Sequence, residues 1–384
     1  MIRRLAGIDE VQAVAWNRLV PADQPALRHE FLSLLESSGA VCPETGWTAA
    51  HRVIEDGQGG LRAILPLYEK SHSFGEFVFD FAWADAWHRS GRPYYPKLTA
   101  AIPFTPVIGP RLMAAEQSEQ AALAEAMESQ ADGIRFSTAH ALFCSDEDAG
   151  LLAGRGWIQR DGCRFLWRNR NYRDFDEWLG EMRSKKRKNL RRERRQVHEQ
   201  GIQFRWREGE QLSSVDWNAF YELYARTYHE RMQTPYLPAS FFPALARKMP
   251  ESVVLIEALD STGTLVAMAF CLRGNRTLYG RHWGSRLALD GLHFETCYHQ
   301  GIEYCIARGL DYFDPGTQGE HKLLRGFPPV KTRSMHWIPD PALRRAVADF
   351  AAAEARQNQV YMAAARAHLP FHREHRPDSP ERAP

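Results

Sequence analysis

The residues best suited to chemistry in this 384-residue sequence lie in one stretch, 314–329, directly after a predicted strand. Glu320 and His321 could form a general base with its orienting partner, because an imidazole titrates near neutral pH. Lys322 and Arg325 add positive charge that could hold an anionic part of a substrate. Since α/β folds place active-site loops after strands, the stretch predicts a catalytic loop, with a polar connecting loop as the alternative.

A second cluster lies at the end of another predicted strand, where Arg281, His282 and Trp283 follow one another. Alternation along a strand would place Arg281 and Trp283 on one face and His282 on the other. A buried arginine is costly unless it is paired. Arg281 is therefore expected either to face a ligand or to bind a carboxylate such as Glu295, and all three residues are candidate substrate contacts.

The third candidate is a basic run, 183–195, which holds nine Lys or Arg residues and one acid, Glu193, in a chain whose net charge is only +2. Like charges spaced i,i+4 repel one another on a helix, so the run does not serve helix stability. It points to an anionic partner such as a diphosphate, RNA or an acidic membrane surface. A solvated helix face is the alternative.

The basic run has the form of a helix over 184–200. Ser184 can cap its beginning, and Gly201 can end it. Leu190 and Val197 fall seven residues apart, on one side of the helix. The pattern predicts a helix that docks through a thin apolar stripe and turns its charges outward.

A metal or nucleotide cofactor is not predicted. The segment 292–303 carries His293 with Cys297, and Glu295 with His299, at i,i+4, but the two pairs lie on different faces of a helix. The sequence contains no Walker loop, no dinucleotide-binding glycine fingerprint and no Gly-x-Ser-x-Gly elbow.

Length and composition predict two folded domains. The chain is too long for one ordinary core, and 44% of its residues are hydrophobic. Its six cysteines form no Cys-x-x-Cys pair, and its beginning does not resemble a signal peptide. We therefore expect reduced cysteines and a cytoplasmic protein without a transmembrane segment.

The order of predicted helices and strands recurs in the two halves of the chain. Leu-Arg-Ala-Ile-Leu-Pro-Leu at 61–67 aligns with Leu-Val-Ala-Met-Ala-Phe-Cys at 265–271. Together with the shared order of elements, this alignment suggests duplication. The pattern predicts a mixed α/β (α+β) fold with two domains, 1–168 and 169–384. The second would hold the basic helix, the catalytic cleft and a loose C-terminal tail.

Four strings carry a family resemblance. They are Arg-Lys-Asn-Leu-Arg-Arg-Glu-Arg-Arg at 187–195, Tyr-Gly-Arg-His-Trp-Gly at 279–284, Leu-His-Phe-Glu-Thr-Cys-Tyr at 292–298 and Gly-Glu-His-Lys-Leu-Leu-Arg-Gly-Phe at 319–327. With them the chain resembles the FemAB-like predicted N-acyltransferases, a branch of the GNAT superfamily linked to peptidoglycan biosynthesis or recognition. The resemblance implies two tandem GNAT-like acyltransferase domains.

The resemblance also implies the partners. Fem enzymes transfer an amino acid from aminoacyl-tRNA to an amine of a peptidoglycan precursor, so we expect an aminoacyl-tRNA or acyl-CoA co-substrate and no tightly bound cofactor. The family pattern that meets the precursor's phosphates matches Arg187, Leu190, Arg191 and Gly201. Together with Lys186, the two arginines are the expected contacts of a phosphorylated precursor or tRNA. A peripheral membrane contact is compatible with the same charge.

A second family pattern, Gly-Thr followed by Phe-Lys-x-Gly-Phe, falls on the predicted catalytic loop. Its matching positions are Gly316, Thr317, Gly326 and Phe327. Leu324 stands where the family has lysine, so Lys322 or Arg325 would have to replace that charge.

These observations predict acyl or aminoacyl transfer to an amine in a cleft of the second domain. His321, oriented by Glu320, would remove the proton of the amine, while backbone N–H groups of splayed strands would stabilise the oxyanion. Direct attack is favoured, because no cysteine or serine stands beside the cluster. The competing hypothesis is a non-catalytic module that binds RNA or an anionic precursor through the basic helix.

Overall fold

The computed structural model describes residues 2–317 and 319–375. Its strands are β1 (Ile2–Leu5), β2 (Trp47–Ala49), β3 (His51–Glu55), β4 (Leu61–Leu65), β5 (Leu67–Lys70), β6 (Lys97–Ala100), β7 (Met113–Ala114), β8 (Ala139–Ala141), β9 (Ile158–Phe165), β10 (Trp167–Arg168), β11 (Gln203–Glu208), β12 (Val253–Leu259), β13 (Leu265–Arg273), β14 (Thr277–Ser285), β15 (Tyr312–Asp314) and β16 (Pro329–Trp337). Its helices are α1 (Ala13–Asn17), α2 (His29–Ser37), α3 (Phe81–Arg89), α4 (Gln117–Ala131), α5 (Asp146–Gly154), α6 (Phe175–Gly180), α7 (Ser184–Glu199), α8 (Ser214–His229), α9 (Phe241–Lys248), α10 (Leu292–Phe294), α11 (Gln300–Arg308) and α12 (Pro341–Ala367).

The chain forms two compact units. The first comprises described residues up to 163 together with 331–361, and the second comprises 164–330 with described residues from 362 onward. The segment 331–361 had been expected in the second domain, and the structure corrects that assignment. The physical reason is strand pairing, because β16 lies antiparallel to β8 and contributes to the sheet of the first unit.

The first unit contains a four-stranded sheet in the order β1-β3-β4-β7 and a six-stranded sheet in the order β2-β5-β6-β8-β16-β9. Pro66 separates β4 from β5, because proline has no N–H to donate to a strand ladder. Apolar side chains of α4 and α5, including Leu123, Met127 and Leu152, pack in one core with residues of these strands.

The second unit contains one six-stranded sheet in the order β10-β15-β14-β13-β12-β11. Aromatic side chains of α8, α9 and β13 pack on one side of it: the ring centroids of Phe220 and Phe242 lie 4.8 Å apart, and those of Phe242 and Phe270 lie 5.4 Å apart. Large buried rings of this kind fix the helices on the sheet.

The same pairing order recurs within each unit. In the first, β5 pairs antiparallel with β6, β6 pairs parallel with β8, and β8 pairs antiparallel with β16. In the second, β13, β14, β15 and β10 repeat that order of antiparallel, parallel and antiparallel pairs. The mixed α/β class is thus confirmed. In this repeat β5, which begins at Leu67, corresponds to β13, whereas Leu61–Leu65 forms β4 in the other sheet, so the correspondence of the segments at 61 and 265 stays a prediction.

None of the helices in the described part of the chain is both long enough and apolar enough to cross a membrane.

Candidate active site

The central parallel strands of the second unit pair only briefly. Thr277–Tyr279 of β14 lies beside Tyr312–Asp314 of β15, and β14 then continues to Ser285 beyond its last pairing with β15. Gly280 permits the close approach at this point, since a Cβ there would lie 3.3 Å from the Cα of Pro315. The predicted catalytic loop begins at the same place, at the carboxyl end of β15, where α/β sheets bind ligands.

In the first unit, residues of the chain itself occupy the corresponding position, at the end of the parallel pair β6 and β8. After the pairing of β6 with β8, a parallel bridge joins Gly109 to Cys144. The guanidinium of fully buried Arg111 donates to the main-chain oxygen of Val107 at 2.7 Å and to that of Leu142 at 2.8 Å. This filling leaves the second unit as the better location for a substrate site.

His321 lies in a short 3₁₀ helix, Glu320–Arg325, and is half-buried. Its Nε2 lies 2.8 Å from the hydroxyl oxygen of Tyr298. Burial lowers the pKa of His321, and the positive charges of Arg325 and Lys322 lower it further. The imidazole is therefore neutral at neutral pH and chemically able to accept a proton.

Tyr298, which sequence reasoning did not single out as a site residue, is the ring's observed hydrogen-bond partner. It belongs to a π-helix, Glu295–His299, a rare wide turn that is often found at functional sites. Glu320 is exposed, so its expected orienting role stays a prediction. The string 292–298 signalled this region, but only the long-range contact reveals the role of the tyrosine.

Lys322 was expected to hold a charge on donor or acceptor, but its ammonium group lies inside the loop. The side chain is buried, and Nζ donates to the main-chain oxygen of Gly316 at 2.6 Å. Burial lowers the pKa of Lys322 to about 7, and the carboxylate of Asp314 offsets only part of that effect. Asp314 also accepts the main-chain N–H of Gly316 at 3.0 Å. Lys322 and Asp314 together fix the start of the loop, before half-buried Thr317.

Arg325 was the other expected substrate cation, and it too has protein partners. It forms an ion pair with Glu193 of α7 and donates to the main-chain oxygen of His321 at 3.1 Å. Its guanidinium lies 3.3 Å from the centroid of the Phe294 ring, which is a cation–π contact. Arg325 therefore connects the loop to the basic helix.

Gly326 and Phe327 end this loop and pack into the protein. Gly326 adopts φ +78°, and a Cβ there would lie within 3.0 Å of Trp178 and Met182, so glycine is required. Phe327 is fully buried, with its ring 5.8 Å from that of Tyr298. Both residues therefore support the loop from the core.

Arg281 lies in a β-bulge. The register of β13 against β14 shifts so that Phe270 faces His282 and Cys271 faces Gly280, which leaves Arg281 as the extra residue. The strict alternation predicted for this strand is therefore wrong at Arg281. Burial lowers the pKa of Arg281 to about 10, with Asp314 as the opposing charge.

Glu295 was a predicted carboxylate partner for Arg281, but other groups occupy it. The Glu295 side chain is 1% exposed, and Arg194 of the basic helix binds it at 2.9 Å. Nδ1 of His299 lies 2.9 Å from the same carboxylate. Asp314 is instead the acid whose charge acts on Arg281.

His282 and Trp283 point to different surroundings. The His282 ring packs 4.9 Å from Tyr224 and 5.9 Å from Phe242, and its pKa is lowered well below the usual value by burial. His282 is half-buried among these rings, and its role as a substrate contact stays a prediction. The Trp283 ring lies 4.9 Å from that of His293, which in turn lies 5.9 Å from the His321 ring.

The basic helix forms as predicted. It is α7, Ser184–Glu199, with Leu190 and Val197 buried. Its N-cap is Arg183, without a side-chain cap, so the predicted cap at Ser184 is wrong by one residue. Gly201 follows with φ +79°, a conformation in which glycine is unstrained.

The charges of α7 divide between two faces. Glu193 and Arg194 share the inner face with Leu190 and Val197, at the spacing i, i+3, i+4 and i+7. The Arg194 side chain is 16% exposed and binds Glu303 as well as Glu295. The prediction that the helix turns its charges outward is therefore wrong for Arg194, which is half-buried and held by two carboxylates.

The outer face carries cations spaced 3, 4 and 3 residues apart, and all of them are exposed: Lys185, Lys188, Arg192 and Arg195. Arg195 lies 3.5 Å from Glu199. Lys185, Lys188 and Arg192 form no ion pair with any residue that the structure describes. This outer row is an exposed cationic surface of the helix.

The three cations predicted to bind phosphate lie beside that row. Arg187 donates to the main-chain oxygen of Gly180 at 3.2 Å. Arg191 pairs with Asp176 at 2.8 Å in an exposed ion pair. Lys186 is half-buried. The structure thus brings them onto the predicted helix but not onto its most exposed row.

Among residues 2–317 and 319–375 no group of three His, Cys, Asp or Glu side chains is arranged to hold a metal ion.

Comparison with known families matches the FemAB-like family, described as peptidoglycan biosynthesis/recognition, over residues 7–373. The predicted family resemblance is thereby confirmed. No curated protein matches the chain.

Solved structures share the fold. The C-terminal domain of a putative lysylphosphatidylglycerol synthetase from Agrobacterium fabrum has 11% identity and a TM-score of 0.53, covering 89% of this chain and 95% of that one. L-PGS from Bacillus licheniformis has 11% identity and a TM-score of 0.51, covering 83% and 94%. FemX has 11% identity and a TM-score of 0.50, covering 80% and 92%. At such identities the likeness shows a shared fold only, and the matched parts of the chain include residues of both units.

Proposed function

This chain belongs to the FemAB-like family, and from that premise we propose that it is an N-acyltransferase with its active site in the second unit. The observation that carries the proposal is the position of His321. Its neutral imidazole lies in the loop that leaves β15, where β14 and β15 cease to pair. A proton acceptor in the loop that follows a short parallel strand pair suits transfer to an amine.

In the proposed reaction an amine nitrogen attacks the carbonyl carbon of an activated acyl or aminoacyl group. His321 accepts the proton that the nitrogen loses, and a new C–N bond forms. The tetrahedral intermediate then collapses with cleavage of the bond to the leaving oxygen or sulfur, which receives the proton from the imidazolium. Proton and electron pairs balance without a covalent enzyme intermediate.

The negative charge of the tetrahedral intermediate requires hydrogen-bond donors that are already in place. The main chain of β14 between Gly280 and Ser285 extends beyond its pairing with β15, which supports it as the source of such donors. Lys322 contributes by holding the loop at Gly316 rather than by binding substrate. The arrangement pre-organises the loop that carries the base.

We propose aminoacyl-tRNA or acyl-CoA as the donor and an amine of a peptidoglycan-type precursor as the acceptor. Both donors and a nucleotide-linked precursor carry phosphates, and the outer row of α7 offers exposed cations to them. The row supports an anionic substrate but does not discriminate between donor and acceptor.

The test is a transfer assay with the full chain. Radiolabelled acyl-CoA and aminoacyl-tRNA would be supplied separately with a nucleotide-linked peptidoglycan precursor, and the product mass would be measured. We expect one acyl or aminoacyl addition to the precursor amine with one of the donors, and its loss with the acceptor N-acetylated beforehand. Binding of precursor or tRNA without transfer from either donor would instead support the non-catalytic binding module.

A further inference from the structure

The single acid of the basic run occupies the inner face of α7. Glu193 lies one helical turn from Leu190 and Val197, both buried, and its side chain is 25% exposed. An acid that served only to dilute the charge of the run would be expected among the outer cations. Its inward position indicates a specific partner.

That partner is Arg325. Glu193 accepts a hydrogen bond from one terminal nitrogen of Arg325, while the other terminal nitrogen donates to the main-chain oxygen of His321 at 3.1 Å. The guanidinium covers the ring of Phe294, whose centroid lies 5.3 Å from that of the His321 ring. One chain of contacts therefore runs from the basic helix to the backbone and the ring surroundings of His321.

We propose that Glu193 is a positioning residue which, through Arg325, holds the 3₁₀ helix of His321 in place. The basic helix would then set the position of the imidazole as well as contact an anionic substrate. The effect of Glu193 on catalysis depends on the proposed function, whereas its effect on the position of His321 depends only on the observed contacts.

The link has an electrostatic consequence for His321. The titratable groups near its ring are Tyr298 and His293 from the segment 292–299, and Lys322 and Arg325 from its own helix. The Arg325 side chain is only 8% exposed, so Glu193 is needed to compensate its charge. Without Glu193, an uncompensated cation would remain beside the imidazole and disfavour its protonated form.

The test compares Glu193→Gln with a matched control, Glu199→Gln. Glu199 lies on the same helix, is 66% exposed and pairs only loosely with Arg195, at 3.5 Å. The readout is an NMR titration of the His321 ring, assigned by the signal that disappears in His321→Ala, and it needs no substrate. Glu193→Gln should move the titration midpoint to lower pH, and Glu199→Gln should leave it unchanged.

A second pair of variants guards against loss of folding. Arg325→Gln should move the midpoint to higher pH, and Glu193→Gln with Arg325→Gln should fold even if either single variant does not, because no buried charge is left unpaired. In the double variant the midpoint should lie between those of the two single variants, because both charges are gone. In transfer assays Glu193→Gln should lower turnover about tenfold with little change in KM, since a displaced base slows the chemical step.

The two proposals fail separately. A midpoint in Glu193→Gln equal to that of the wild-type chain would overturn the positioning role even if the wild-type chain transfers acyl groups. A shifted midpoint in a chain that transfers nothing would retain the positional link and overturn the proposed function instead. A fall in stability with no change in midpoint would show an ordinary structural ion pair.

Discussion

The hydroxyl oxygen of Tyr298 lies 2.8 Å from Nε2 of His321. Burial raises the pKa of Tyr298, so the phenol stays protonated while the imidazole, whose pKa is lowered, stays neutral. A proton shared between these two atoms selects the tautomer of the ring. If Nε2–H donates to the phenol oxygen, Nδ1 remains the atom that can accept a proton from substrate.

Tyr298→Phe should therefore lower turnover about tenfold while leaving the fold intact, because it removes one hydrogen bond and no ring packing. The pH–turnover profile would be measured for both chains. The acidic limb should shift in Tyr298→Phe, whereas a tyrosine that served only in the core would change stability and leave the limb in place. Tyr236→Phe, elsewhere in the second unit, is the matched control.

His321→Ala should lower turnover by about 10²–10⁴-fold, the usual loss for a missing general base. KM for the donor should change little, since the imidazole acts on the amine. Glu320→Gln should cost less, because this exposed carboxylate at most orients the ring. Single-turnover kinetics with saturating donor would check both variants, and full activity in His321→Ala would assign proton removal to substrate or solvent.

Lys322→Met should change how stability depends on pH. The pKa of Lys322 is lowered to about 7 in the folded chain, whereas an unfolded lysine titrates near 10.4. Between these values the unfolded chain binds the extra proton, so this lysine makes the wild-type chain more stable as pH rises, by at most about 1.4 kcal/mol per pH unit. Urea unfolding at pH 7 and pH 9.5 should show that the free energy of unfolding rises less with pH in Lys322→Met than in the wild-type chain. An equal rise in the two chains would place the Lys322 pKa at its ordinary value.

Arg194→Met should destabilise the second unit by about 3 kcal/mol, because it leaves the 1% exposed carboxylate of Glu295 without its cation. Arg191→Met is the matched control on the same helix and should cost under about 1 kcal/mol, since its pair with Asp176 is exposed on both sides. Both values come from denaturant unfolding at pH 7.

The same variant should respond to acid. Burial acts to raise the pKa of Glu295, but hydrogen bonds from His198 and His299 and the charge of Arg194 outweigh it and hold the pKa well below its usual range. The stability from a lowered carboxylate pKa is present above the unfolded value and is lost as pH falls below it. Repeating the unfolding at pH 4.5 should narrow the difference in the free energy of unfolding between the wild-type chain and Arg194→Met. A wider difference at pH 4.5 would contradict the role of Arg194 as the cation that stabilises the Glu295 carboxylate.

Replacing three of the four outer-row cations of α7 by glutamine (Lys185→Gln, Lys188→Gln and Arg192→Gln) should weaken binding of tRNA or of a nucleotide-linked precursor. Each lost phosphate contact lowers the salt slope of log K by about 0.7 to 0.9. The control has the same charge change on the same helix: Lys186→Gln, Arg187→Gln and Arg191→Gln. Titrations at several salt concentrations should show the larger loss of affinity for the outer-row variant. A larger loss of affinity for the control would instead support Lys186, Arg187 and Arg191 as the phosphate contacts.

Local patterns determined much of this protein. The spacing of Leu190 and Val197 within a run of charge predicts the basic helix, because a helix with so little apolar surface can dock in only one orientation. The order of strands and helices predicts a mixed α/β fold, and the motif strings identify the family. These features depend on residues close together in the chain.

Only the tertiary structure decided which charges are available. Lys322 and Arg325 were predicted as substrate cations, and Arg194 belonged to a run predicted to turn its charges outward. Yet each is held by a group distant in sequence or buried by the fold. Spacing along a chain cannot show which carboxylate or carbonyl oxygen a long side chain will reach.

Strand pairing settled the remaining differences. The bulge at Arg281 depends on the register between β13 and β14, and the return of β16 to the first unit depends on its pairing with β8, which is far away in the sequence. The hydrogen bond between Tyr298 and His321 likewise joins a π-helix to a loop 23 residues later. Such contacts form because packing brings the elements together, so the sequence specifies them only through the complete fold.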